Sequence, residues 1–146
     1  LVPEKGTPKL TLPNGKIILA ADDSPMARAM IENGLNALDA PFIMTKNGLE
    51  AWEKMQSISD AAIAEGKSVQ DKVALVLTDQ EMPEMDGFTL TRNIKNDQRF
   101  KSIPVIIHSS LTGSTNESHV KSVGADAYVA KFVADELTTT IRRVLS

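Results

Sequence analysis

Five short apolar runs, at residues 17–21, 42–45, 73–78, 105–107 and 127–130, alternate along the chain with five stretches of helical periodicity. Runs so short and so continuously apolar suit strands covered on both faces. A strand–helix–strand rhythm makes successive strands parallel, with right-handed crossovers. The expected fold class is therefore α/β: a five-stranded parallel sheet in the flavodoxin-like order 2-1-3-4-5, a (βα)5 unit.

The helical stretches carry their own punctuation. Ser24 stands at an N-cap and Pro25 at the first helical position, ahead of an apolar face of Ala27, Met30, Ile31, Leu35 and Leu38. A second face comprises Ala51, Trp52, Met55, Ile58 and Ala62, with Gly66 as its stop. The span 59–71 is long for a connection, so this helix is expected to be extended. A third helix is expected over about 88–97. The fourth opens with Ser114 and Glu117 in capping-box spacing and ends at Gly124, and the fifth carries Val133, Leu137, Ile141 and Val144. Residues 1–15, LVPEKGTPKLTLPNG, are rich in Pro and Gly without apolar periodicity, and suit a linker or extended arm ahead of a domain at 16–146. A start at Leu1 suggests a tether to an upstream domain.

A chain of 146 residues suffices for one domain with its own core. Sixteen basic against nineteen acidic residues give a charge of −3 with no basic stripe, which argues against dedicated nucleic-acid binding. The absence of cysteine excludes disulfides, thiolate metal sites and cysteine nucleophiles. No apolar run has membrane-spanning length, so a cytoplasmic monomer is expected.

The stretch VALVLTDQEMPEMDG poses the functional question, because a run fit for burial ends in acids. A carboxylate beside a hydrophobic strand costs desolvation free energy unless a cation or a hydrogen-bond donor meets it. In the proposed order, strands one and three are neighbours at the switch point, where ligands bind beyond the carboxyl ends of the strands. Strand one ends in Asp22 and Asp23, and strand three in Asp79. Three converging carboxylates repel and call for a cation. An all-oxygen donor set suits Mg²⁺. Strand four ends in His108, Ser109 and Ser110 and strand five in Lys131, bringing a hydroxyl and an ammonium to the same edge. Such an edge could receive a phosphoryl group on Asp79.

ADDS, LTDQEMPEMDG, PVIIHSS and DAYVAK, taken together and in this order, closely resemble the receiver domains of two-component response regulators. HSSLTG, GADAYVAKF and the long second connection are similar, more narrowly, to the receiver of CheV-type chemotaxis coupling proteins, in which a receiver follows a CheW-like domain. The resemblance implies that Asp79 is phosphorylated by a CheA-type histidine kinase or a small acyl phosphate. It implies Mg²⁺ held by Asp23, Asp79 and the Glu81 carbonyl, with Asp22 acting through metal-bound water. Lys131 would pair with the phosphoryl oxygens. Ser109 would bond the phosphoryl group and couple to Tyr128. Met82, Pro83 and Gly87 would shape the loop, Gly87 through a backbone geometry that side chains disfavour. The output surface would be the fourth helix, fifth strand and fifth helix, including His119 and Tyr128.

Three positions depart from the family pattern. Phe132 follows Lys131 where receivers usually place a cis proline; without proline a cis bond costs about 3–4 kcal/mol, so a trans or strained bond is expected. Ser109 stands for the commoner Thr. Glu81 puts a carboxylate near the approach of hydrolytic water. Plainer readings stand beside these: Asp22 and Asp23 as helix-start acids, Glu84 and Asp86 as solvated loop acids, His108 packed at the sheet, His119 simply exposed, Tyr128 a core aromatic. Two rival functions are a phospho-aspartate phosphatase or phosphotransferase, and a receiver turned constitutive scaffold.

Overall fold

The computed structural model describes residue 12 and residues 16–109, 114–130 and 134–145. Five parallel strands, β1 (Ile17–Ala21), β2 (Phe42–Thr45), β3 (Val73–Asp79), β4 (Val105–Ser109) and β5 (Ala127–Ala130), form one sheet in the order β2-β1-β3-β4-β5. Helices α1 (Pro25–Ala37), α2 (Gly48–Ala64), α3 (Gly87–Lys95), α4 (Ser114–Ser122) and α5 (Ala134–Leu145) connect and cover it. The expected fold class and strand order are those observed.

All seven residues of β3, the central strand, are buried, whereas the edge strands β2 and β5 are mostly half-exposed. Burying Leu75, Val76 and Leu77 completely contributes roughly 1.5–3 kcal/mol each. Alternation along the strands divides the core in two. Leu19, Ala21, Val76, Val105 and Ile107 face α2, α3 and α4 through Met55, Leu90, Ile94 and Val120. Ile18, Ala20, Leu75, Leu77 and Ile106 face α1 and α5 through Ile31, Leu35, Leu137 and Ile141. Leu12, inside the expected arm, packs against this second core.

The helix signals operate locally. The Ser24 hydroxyl accepts the Ala27 N–H at 3.2 Å, with Pro25 in the first turn. Gly66 takes φ +78° and ends the long second helix, and Gly124 takes φ +94° after the fourth. Both are conformations that cost glycine little. Asn47, which the helical pattern alone did not single out, caps α2 by accepting the Glu50 N–H at 2.8 Å. The third helix begins at Gly87 and ends at Lys95, slightly earlier than expected. The side chains of Ser114 and Glu117, expected to form a capping box, lie outside the described residues, as does Val133.

Two strands run further than their apolar patterns. β3 continues through Asp79 and β4 through Ser109, with Asp79 opposite His108 and Ser109 opposite Ala130. The backbone ladder continues after the side chains turn polar, so Asp79, His108 and Ser109 sit on the sheet itself.

Candidate functional site

Parity builds the pocket. On β1, Ile18 and Ala20 face the α1–α5 side, and Asp22 is next in that series; on β3, Leu75 and Leu77 are followed by Asp79; on β4, Ile106 is followed by His108. Three adjacent strands thus deliver two carboxylates and one imidazole to one spot. One donor atom from each lies within 4.8 Å of the others, and all three residues are buried. His108 Nδ1 is 3.6 Å from Asp22 Oδ2.

Two hydrogen bonds among the described residues hold Asp22. Its Oδ1 accepts the Ser24 N–H at 2.9 Å, and its carbonyl accepts from the Arg28 guanidinium at 3.0 Å. Ser24 caps the helix, while Asp22 orders the turn before it. Asp23 and Glu81 are exposed. Beside the two buried carboxylates the cluster holds His108, a nitrogen donor that the expected set of Asp22, Asp23, Asp79 and the Glu81 carbonyl does not include. Buried carboxylate oxygens and an imidazole nitrogen are donors that fit a divalent cation.

The loop after Asp79 is tightly folded. Met82 and Met85 anchor it on the α2–α3–α4 core, Pro83 and Glu84 are exposed, and the Met85 N–H reaches the Pro83 carbonyl at 2.7 Å. Left-handed backbone occurs at Glu84, φ 68°, and not at Gly87. This corrects the reason assigned to Gly87. A Cβ there would strike the carbonyl oxygen of Asp79, so the residue is glycine for close approach. Asp86 is exposed, yet it caps α3 by accepting the Thr89 N–H at 2.7 Å.

A second set of groups occupies the other face. Ser109 is buried, continuing the series of Val105 and Ile107, and Tyr128 pairs with Ile107 and packs on the same core. The two side-chain amides of Gln80 and Asn116 bond reciprocally at 2.9 and 3.0 Å, and Asn116 Nδ2 donates to the Tyr128 hydroxyl at 3.1 Å. The Gln80 N–H in turn donates to the His108 carbonyl at 3.1 Å. A chain of hydrogen bonds therefore leads from the residue after Asp79, through α4, to Tyr128. Sequence reading missed Gln80 and Asn116, since their partners are 36 and 12 residues away. His119 is exposed, as expected, and its ring stacks on Phe88 with centroids 4.0 Å apart. Beside Tyr128, a groove of about 250 Å³ between α4, β5 and α5 is lined by Lys121, Asp126 and Arg143. Ser110, Lys131 and Phe132 lie outside the described residues.

A doubly wound parallel sheet with a buried polar pocket at its switch point defines the flavodoxin-like class. Within that class, the chain belongs to the response regulator receiver domain family, which matches residues 18–142. It is similar to the chemotaxis protein CheV3 of Helicobacter pylori, 30% identical over 128 residues that make up 88% of this chain and 40% of that protein. The chain thus spans about two fifths of that relative's length. The solved structure of the chemotaxis response regulator CheY4 of Vibrio cholerae superposes with a TM-score of 0.74 at 25% identity, covering 89% of this chain and 98% of that one. The receiver domain of a sensor histidine kinase from Pseudomonas aeruginosa, crystallised with a magnesium ion in its active-site cleft, shares the fold with a TM-score of 0.71 at 22% identity, covering 88% and 96% of the two chains. The chain is a receiver domain, and several of the proteins it is similar to are chemotaxis proteins. Among the described residues, no helix is long and apolar enough to cross a membrane.

Proposed function

We propose that Asp79 accepts a phosphoryl group from the phosphohistidine of a CheA-type histidine kinase, or from a small acyl phosphate, and that this switches a partner interaction. The observation that carries the reading is the burial of Asp79 beside Asp22 and His108 at the switch point of the sheet. A carboxylate oxygen of Asp79 attacks phosphorus, the bond to the donor nitrogen or oxygen breaks in line, and the departing group keeps that electron pair. Catalysis here is positioning and charge neutralisation. Asp22, Asp23, Asp79 and the Glu81 carbonyl would hold Mg²⁺, which supplies positive charge to the transferring oxygens. Lys131 would pair with the phosphoryl group and Ser109 and Ser110 would receive it. The protein acts as a signalling domain and not as an enzyme on a separate substrate.

The new charge would bias an existing equilibrium; moving it from mostly off to mostly on requires roughly 5 kcal/mol of differential interaction. The output surface would be the α4–β5–α5 face with its groove. Residues 1–15 would tether the domain to a CheW-like neighbour in a cytoplasmic protein.

Incubation with Mg²⁺ and acetyl phosphate, followed by intact mass measurement, tests the acceptor. One added phosphoryl group is expected in the parent, and none in Asp79→Asn or without metal. Failure of both acetyl phosphate and a stable phosphoryl mimic to bind the parent would leave the scaffold reading.

A further inference from the structure

Magnesium takes oxygen donors and gives up its waters reluctantly, whereas imidazole nitrogen suits first-row transition ions. The buried donors in this pocket are not oxygen alone. We propose that His108 is a metal ligand, and that it turns the acidic pocket into a site preferring a borderline ion such as Mn²⁺, Co²⁺ or Zn²⁺ over Mg²⁺. The proposal rests on the reading of Asp22 and Asp79 as the cation site and adds a third donor of different chemistry.

Spacing supports it first. Opposite ligands of a six-coordinate ion at about 2.1 Å stand about 4.2 Å apart. Adjacent ligands of such an ion stand about 3.0 Å apart, so the three donor atoms, within 4.8 Å of one another, must close in by up to about 1.8 Å to share one ion. The separation of His108 Nδ1 from Asp22 Oδ2, 3.6 Å, exceeds a direct hydrogen bond and leaves them room to meet a common ion.

Rigidity supports it second. His108 lies within β4, in register with Asp79, and its carbonyl is held by the Gln80 N–H. At 3% exposure its ring cannot swing into water. Chemistry is the third support. Ile106 precedes it in the same series and is wholly buried, so an apolar side chain would satisfy packing at this end of the strand. An imidazole with a nitrogen within 4.8 Å of oxygens of two buried carboxylates can serve coordination as well as packing.

The test is metal binding by the whole chain, compared with His108→Val and Asp79→Asn. Mg²⁺ and Co²⁺ affinities are measured by calorimetry, Co²⁺ binding is also followed by its visible absorption, and histidine side-chain ¹⁵N resonances are recorded with Zn²⁺. The expected result is that H108V loses Co²⁺ affinity by at least about tenfold, the scale on which metal sites respond even to loss of an outer partner, and by a larger factor than it loses Mg²⁺ affinity. The His108 ¹⁵N resonance shifts in the parent on adding Zn²⁺. Equal Co²⁺ affinity in parent and H108V, with Mg²⁺ still bound, overturns the proposal and leaves the cation site standing. No Mg²⁺ binding in the parent, or binding indifferent to D79N, overturns the cation site itself. Should H108V not fold, an unmoved His108 resonance in the parent suffices to refute the proposal.

Discussion

A methyl group at position 87 would occupy the space of the Asp79 carbonyl oxygen. Gly87→Ala must therefore shift either the start of α3 or the proposed acceptor. Overpacking of this kind typically costs about 1–3 kcal/mol, and urea unfolding of G87A should show a loss in that range together with slower mass gain from acetyl phosphate. A normal phosphorylation rate in G87A would mean that the loop, and not Asp79, absorbs the displacement. The meeting of Asp79 and Asp22 at one edge was legible because an apolar run that ends in acids is an anomaly demanding a partner. His108 was not, because a histidine closing an apolar run looks like any strand-end residue. Only the shared parity of three strands, fixed once their register is known, sets it beside the two acids.

Among the elements, α4 is tied down unevenly. The buried apolar residue described within it is Val120, with Val123 just beyond its end, while towards its start Asn116 holds it by side-chain bonds to Gln80 and Tyr128. Asn116→Ala should cost about 1 kcal/mol, yet it should change signalling more than stability. With ¹⁹F-labelled tyrosine, the Tyr128 resonance of the parent should move when beryllium fluoride occupies Asp79, and in N116A that response should shrink by half or more. An undiminished response would show that the link runs through Ser109 alone. Element existence was legible from periodicity, and the limits of β1, β2 and β5 were read correctly. The ends of β3 and β4 were not, because a side-chain pattern cannot report hydrogen bonds that continue beneath polar residues. The Gln80–Asn116 bond was illegible for a similar reason: polar side chains carry no period.

In the molecule as a whole, strand order and layer assignment followed from the alternation of strands and helices, while the cross-links between layers did not. One of these stands at the end of the sheet opposite the acids. Lys95 Nζ, at the end of α3, donates to the Ile103 carbonyl at 2.9 Å and to Asp126 Oδ2 at 2.8 Å, and that same oxygen accepts the Val105 N–H at 2.8 Å. Asp126 donates its own N–H to the Val105 carbonyl, also at 2.8 Å. Three segments are thereby fastened just past the end of α4. With residues 124–126 as fulcrum and Asn116 on the long arm, α4 should rotate more than it translates when the acidic edge is displaced. Hydrogen exchange makes this visible: a phosphoryl mimic should alter amide exchange at residues 116–119 and leave 123–126 unchanged. In Lys95→Met the fulcrum is loosened, and the change should spread along the whole helix.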